Sequence, residues 1–124
     1  MALQINLSLS EDDSLHFTGE VVRARLPADE GKIYYVRFQP RARTNWHEHP
    51  GTQILFVLEG RCRVQRQGHP VVELKPNEML TIPAGEPHWH GAAPDAPMSH
   101  IAVNLFSGET KWMHAVSEKE YESK

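Results

Sequence analysis

Two histidine pairs of the same form, His47-Glu48-His49 and His88-Trp89-His90, stand about 40 residues apart in a chain of 124 residues. On an extended strand, residues i and i+2 share a face, so each pair presents both imidazoles to one side. Burying four such rings without a metal or hydrogen-bond partners costs several kcal/mol. The pattern therefore asks for strands that close on one another around something that satisfies the rings. Neutral imidazole is a common metal ligand, and the two pairs predict one divalent metal between them. Trp46, Glu48 and Trp89 point the other way, and the two tryptophans are expected to pack between sheets or subunits.

The remaining chain supplies short strands. Val21-Val22 opens one before Pro27, and Ile33 to Phe38 forms another before Pro40. Arg43 to His49 carries the first pair. Gln53 to Leu58 is a nearly continuous apolar run, suited to a central strand buried on both faces. Arg61 to Arg66 alternates, Val71 to Leu74 returns, Met79 to Ile82 is short, and Ser99 to Phe106 is the last clear strand. Asp29-Glu30-Gly31, Pro50-Gly51, Glu59-Gly60, Gly68-His69-Pro70 and Pro76-Asn77 punctuate them as turns. Near-regular short strands of this kind predict an all-β sandwich or barrel. Leu3, Ile5, Leu7 and Leu9 alternate as an edge strand or an arm across a partner subunit, and Glu11-Asp12-Asp13 breaks the pattern. Ser117 and Glu120 form a capping box, which predicts one or two turns of C-terminal helix with Tyr121 packed back.

Size and charge narrow the function. The length suits one domain, 1–124, with a metal-binding core over about 33–106. A net charge of -3 with mixed signs argues against a nucleic-acid stripe or an anionic membrane as partner. One cysteine, Cys62, excludes an internal disulfide and a cysteine-based zinc site, and reads as a small core residue. No leader pattern and no apolar run near the ~20 residues of a membrane helix is present, so a cytoplasmic location is expected.

Five of the eight histidines, His47, His49, His88, His90 and His100, belong to the two stretches or follow them closely. His100 shares a face with Met98, Ala102 and Asn104, and Gln53 returns opposite the first pair after the Pro50-Gly51 turn. Arg43 lies an even number of residues from His47 and His49, which places it on their inward face or at a barrel-rim salt bridge. His16, His69 and His114 fall in loops or the tail and are expected at the surface. Phe38, Leu55 and Met98 are candidates for an apolar mouth.

The spacing resembles the cupin superfamily. Its first motif reads here as Arg41, five residues, His47-Glu48-His49, three, Gln53, six, Gly60. Its second reads as Asn77, five residues, Pro83-Ala84-Gly85, two, His88, three, Ala92. Arg41, Asn77 and Ala92 depart at turn or packing positions, and Gln53 replaces the family's glutamate at a ligand position. Three further runs are similar to small bacterial cupins with hydroxynitrile lyase activity. They are Ala42 to Pro50, Gly85 to Pro94 and Met98-Ser99-His100, with Phe17-Thr18-Gly19 and Trp112 to Tyr121 also alike. The resemblance implies a jelly-roll β-barrel with a short C-terminal helix. It implies metal ligands at His47, His49, Gln53 and His88, and active-site roles for Thr44, His90 and His100. It makes manganese the usual metal and a homodimer or higher homo-oligomer the usual assembly.

Gln53 bears on the chemistry. Three imidazoles and an amide oxygen carry no charge, so a divalent ion keeps its full +2. Such a site holds metal less tightly than one with glutamate and resists its oxidation, but stabilises an anion forming on the substrate. Donors of this type suit Mn, Fe, Co, Ni or Zn. The expected reaction is cleavage or formation of a cyanohydrin, an aldehyde plus cyanide, with His90 or His100 as base. A dioxygenase of a small organic substrate and a non-catalytic small-molecule-binding cupin are the alternatives.

Overall fold

The structure, a computed structural model, describes residues 7–9, 11–28 and 30–123. The first half of the Leu3–Leu9 alternation and Asp29 lie outside the described residues. In chain order the elements begin with α1 (Glu11–Ser14), β1 (Phe17–Thr18), β2 (Val21–Leu26), β3 (Lys32–Phe38), β4 (Arg43–Thr44) and β5 (His47–Glu48). There follow β6 (Gln53–Glu59), β7 (Cys62–Arg66), β8 (Val72–Leu74) and β9 (Met79–Ile82). The chain closes with β10 (His88–Ala92), β11 (Met98–Asn104), β12 (Lys111–Trp112) and α2 (Glu118–Glu122).

Two antiparallel sheets face one another. One runs in the order β2-β3-β11-β6-β9. The other has seven strands: β1, β4, β10, β5 and β12 in series, with β7 on the free side of β10 and β8 beyond it. Between them Val21, Val36, Phe38, Leu55, Val57, Cys62, Val64, Ile82, Ala92, Met98 and Ala102 form the core. Most are β-branched or aromatic residues at alternate strand positions, the residues that best fill a half-buried pleated face. Cys62 sits there as a small apolar side chain, and burial pushes its thiol up to about 12.

Details depart from the sequence reading. β6 is not buried on both faces: Gln53, Leu55 and Val57 are buried, while Ile54 and Phe56 on the outer face are half-buried. The Arg43–His49 strand is broken in two. Glu11–Ser14 makes a helical turn, and Lys111–Trp112 adds a strand that no periodicity announced. Ser8 bridges Arg23 of its own chain, so this part of the N-terminal arm runs along β2. Arg41 and Asn77, which open the two motifs, both adopt left-handed backbone with φ of 69° and 72°. Gly60 does so too (φ 72°), and a Cβ there would lie 2.1 Å from the Pro97 carbonyl oxygen.

The C-terminal helix forms as its capping box requires. The Glu120 N–H donates to Ser117 Oγ, and the Ser117 N–H to Glu120 Oε1. Tyr121 is fully buried and donates to the Ala92 carbonyl at 2.5 Å. With Val116 it covers Trp46 and Trp89 on the outer side of the seven-stranded sheet. Among the described residues, no helix is long and apolar enough to cross a membrane.

Candidate metal centre and active site

The two sheets enclose a cavity of about 320 Å³ lined by His47, His49, Gln53, His90, His100 and Thr44, among others. β5 and β10 bring two rings together beside it. His47 and His88 are cross-strand partners, and their ring centroids are 4.2 Å apart. His90, two residues along the same face of β10, lies 5.4 Å from His47. His49 follows directly after β5, with ring centroids 4.9 Å from His47 and 5.3 Å from His88. The closest three-nitrogen group is His47, His88 and His90, whose ligand atoms all lie within 4.8 Å of one another. His100 reaches in from β11 on the opposite sheet, its Nε2 3.0 Å from His90 Nδ1.

Both pairs therefore point inward, as i and i+2 require. Arg43 does not. β4 and β5 are two parts of one line beside β10, interrupted at Asn45 and Trp46. There the backbone bonds elsewhere: the Asn45 N–H donates to His16 O, and Trp46 exchanges bonds with His114 O and the Met113 N–H. The interruption resets the alternation, so Thr44 and His47 both face the cavity although their numbers differ in parity. Arg43 is turned outward and buried. It donates to the Val116 carbonyl at 2.8 Å, lies over the Tyr121 ring and pairs with Glu118 at 3.2 Å, the salt bridge that is the other reading of its position. Trp46 and Trp89 face away from the imidazoles, as expected.

Two expectations are corrected. His16 lines the cavity and stacks on Trp112, with centroids 4.3 Å apart. Of the three apolar mouth candidates only Phe38 lines it; Leu55 and Met98 are wholly core. Sequence reasoning also missed Lys32, Tyr34, Val36, Thr110 and Trp112 in the lining. The first three were recoverable by stepping back two at a time from Phe38 along β3. Thr110 and Trp112 follow an irregular loop and carry no periodic signal.

The rings are held in the form that binds metal. His47 Nδ1 donates to the Asn45 carbonyl at 2.8 Å, and His88 Nδ1 to the Glu86 carbonyl at 2.9 Å. A carbonyl only accepts, so each Nδ1 carries the proton and each Nε2 offers a lone pair. His49 Nδ1 pairs with Thr110 Oγ1 at 3.0 Å. Anchoring one ring nitrogen on a carbonyl or hydroxyl is the usual support for a metal-binding histidine. Burial is the first cause of lowered proton affinity throughout. It takes His49, His88 and His100 down to about 4. His47 and His90 fall well below the ordinary value, with neighbouring imidazoles adding to the effect. All five are neutral at pH 7, the state in which an imidazole can donate to a metal.

Two observations fit a cation among these donors. His49 Nε2 and His90 Nε2 are buried without a hydrogen-bond partner. And His88 Nε2 stands 3.0 Å from Gln53 Oε1. With His88 Nδ1 protonated and the Gln53 amide nitrogen donating to Asn104 Oδ1, both facing atoms are acceptors. Two lone pairs at that separation repel unless a positive ion sits between them. Donors about 2.1 Å from one ion and at right angles to each other are themselves about 3 Å apart. The histidine cluster is consistent with a divalent metal site and does not choose the element.

The two motifs and this barrel place the chain in a known group: the Cupin domain family matches residues 34–104. This chain is a cupin. It is 42% identical over 88 residues to the (R)-mandelonitrile lyase of Granulicella tundricola, covering 69% of this cupin and 67% of that protein. A shorter match, 37% over 43 residues, links it to a dimethylsulfoniopropionate lyase of Ruegeria pomeroyi, over 35% of this cupin and 21% of that enzyme. The crystal structure of a cupin-like protein from Thermotoga maritima superposes with a TM-score of 0.86 at 39% identity. That likeness covers 96% of this cupin and 92% of its relative. The cupin thus has lyases among its relatives and a buried histidine cluster suited to a divalent metal.

Proposed function

We propose that this cupin is a metal-dependent lyase that cleaves or forms cyanohydrins, acting as a single domain over residues 1–124. His47, His49, Gln53 and His88 are the proposed ligands, and manganese is the first candidate metal. The observation that carries the reading is the pairing of a neutral donor set with a hydrogen-bonded His90–His100 couple in one cavity. His47, His49 and His88 are anchored through Nδ1 on a carbonyl or hydroxyl; His90 alone is anchored on a second imidazole. That difference supports giving the first three to the metal and His90 with His100 to the proton.

When bound, a divalent ion supplies Lewis acidity toward the oxygen of the substrate. The protein supplies the rest. His90 Nε2, free of any partner, takes the hydroxyl proton, while His90 Nδ1 donates to His100 Nε2. The carbon–cyanide bond breaks with its electron pair leaving on cyanide, and the carbonyl forms. The site's low proton affinity at His90 makes it release the proton readily, and cyanide, the stronger base, accepts it as hydrogen cyanide. Thr44 Oγ1 accepts the His90 backbone N–H at 3.2 Å, so its own hydroxyl proton is available to the substrate oxygen or to cyanide. Phe38, Val36 and Ala102 give the cavity an apolar wall against which a ring or alkyl chain can lie.

A second ligand set has one observation in its favour. The three-nitrogen group that lies closest together contains His90 rather than His49, so His90 is the competing third nitrogen ligand. The test of the activity is direct. Metal-free protein is reconstituted separately with manganese and iron and given racemic mandelonitrile under nitrogen. Release of benzaldehyde is expected. Oxygen uptake coupled to substrate loss, with no anaerobic turnover, would replace the lyase by the dioxygenase.

We also infer a homodimer. The outer face of the five-stranded sheet carries Ile33, Tyr35, Ile54, Phe56, Ile101 and Val103 in adjoining register, with Met79 56% exposed at its edge. A contiguous apolar face of this kind is a surface for a second copy.

A further inference from the structure

The mouth of the cavity holds a charge that cyanohydrin chemistry does not use. β3 turns Lys32, Tyr34, Val36 and Phe38 toward the cavity. Lys32 stands opposite Asn104, and Asn104 opposite Gln53. The three occupy one level of the sheet, so the Lys32 and Gln53 backbones are two strand spacings apart, about 10 Å. The flexible four-carbon stem of lysine carries its ammonium over part of that distance. Lys32 is half-buried as a residue, and its ammonium, at the solvent-facing end, donates to the Gly108 carbonyl at 2.9 Å. No carboxylate pairs with it among the described residues.

The other charges at the mouth are accounted for differently. Arg23 is bound to Asp13 at 2.8 Å and lies over the Tyr34 ring, so that pair cancels. Glu109 lines the same mouth but is exposed to solvent. Lys32 is left as a cation at the cavity mouth with no carboxylate partner among the described residues. A site built from uncharged donors leaves a metal's charge intact, and the Lys32 ammonium at the mouth adds a second positive charge to the same cavity. The arrangement becomes favourable when an anion lies between the two.

We propose that the substrate of this cupin carries a carboxylate remote from its reacting group, and that Lys32 holds it. The class is a carboxylated aldehyde or its cyanohydrin. The reacting group rests on the lyase reading above; the carboxylate rests on Lys32. A monoanion is matched by a single ammonium, whereas a phosphate would leave excess negative charge beside Glu109.

The test is binding. Manganese-loaded protein is titrated with 4-carboxybenzaldehyde and with benzaldehyde, and paramagnetic broadening of the aldehyde proton gives each affinity. A charge-assisted hydrogen bond predicts that the carboxylated ligand binds at least about tenfold more tightly. The preference should shrink as salt is raised. It should fall to within about twofold in Lys32→Gln and in Lys32→Met, and survive in Lys32→Arg. Equal binding of the two aldehydes to the wild-type protein overturns the proposal, as does a preference untouched by either neutral substitution. Because binding is read without turnover, failure to cleave mandelonitrile would sink the lyase reading and leave this measurement standing.

Discussion

The side-chain amide of Gln53 donates to Asn104 Oδ1 across 2.8 Å, which fixes its other end, Oε1, toward His88. Asn104 thereby decides which atom of Gln53 the centre sees. As a proposed ligand, Gln53 is thereby oriented but uncharged.

A Gln53→Glu exchange adds a negative donor at the same place, with Asn104 able to turn its amide nitrogen toward the new carboxylate. Metal affinity should rise by about tenfold or more, since a charged ligand replaces a neutral dipole. Mandelonitrile cleavage should fall by at least about tenfold, because half the ion's charge is now neutralised before the substrate arrives. Metal titration and steady-state kinetics on the same preparation check both. Unchanged turnover would refute the charge argument.

His49 and His90 compete for one place in the ligand set, and alanine at each separates them. Under the assignment made here, His49→Ala loses metal on dialysis. His90→Ala keeps it at full stoichiometry while turnover drops about 10²- to 10⁴-fold, the usual cost of a lost general base. Metal analysis that finds the reverse would move His90 into the ligand set and His49 out of it.

Acid should weaken the metal-free protein within a defined window. His88 and His100 sit at about 4 in the fold against an ordinary 6.5, with burial as the first cause. Above pH 6.5 both folded and unfolded chains hold these rings neutral, and stability is at its plateau. As pH falls toward 4 the unfolded chain takes up protons that the fold refuses, so stability is lost. Below about 4 both forms are protonated and the loss stops. Each group taken alone accounts for on the order of 3 kcal/mol. Urea midpoints of chelator-treated protein at pH 7.5, 6 and 5 should decline in that order, and a flat series would count against it.

The inferred dimer predicts a hydrodynamic outcome. Ile101 lies on the outer face of the five-stranded sheet, between Tyr35 and Phe56 in register. Light scattering should give twice the monomer mass for the wild type and the monomer mass for Ile101→Lys, since a lysine in the middle of an apolar contact must be desolvated. A monomeric wild type would remove the inference.

Much of this protein was legible before any coordinates. Alternation placed His47 and His49, and His88 and His90, on shared faces because a strand's side chains repeat every two residues. The capping box at Ser117 and Glu120 announced the terminal helix because it depends only on neighbours within one turn. Motif spacing gave the family for a similar reason: turn lengths and ligand offsets are local.

What only the tertiary structure decided is everything that depends on which segment an atom meets across the barrel. Counting twos leaves Arg43 either inward or in a rim salt bridge, and the break at Asn45 and Trp46, which bond to His16, Met113 and His114 instead of to β10, turns it to the second, with Glu118. Thr110 and Trp112 reach the cavity after a loop without period, Trp112 on the short β12. The anchors that fix the tautomers of His47 and His88 lie two residues away in sequence, yet those of His49, Gln53 and His90 lie 61, 51 and 10 residues away. A strand's own alternation sets the face a side chain takes; the partner waiting on that face is set by how the sheets close.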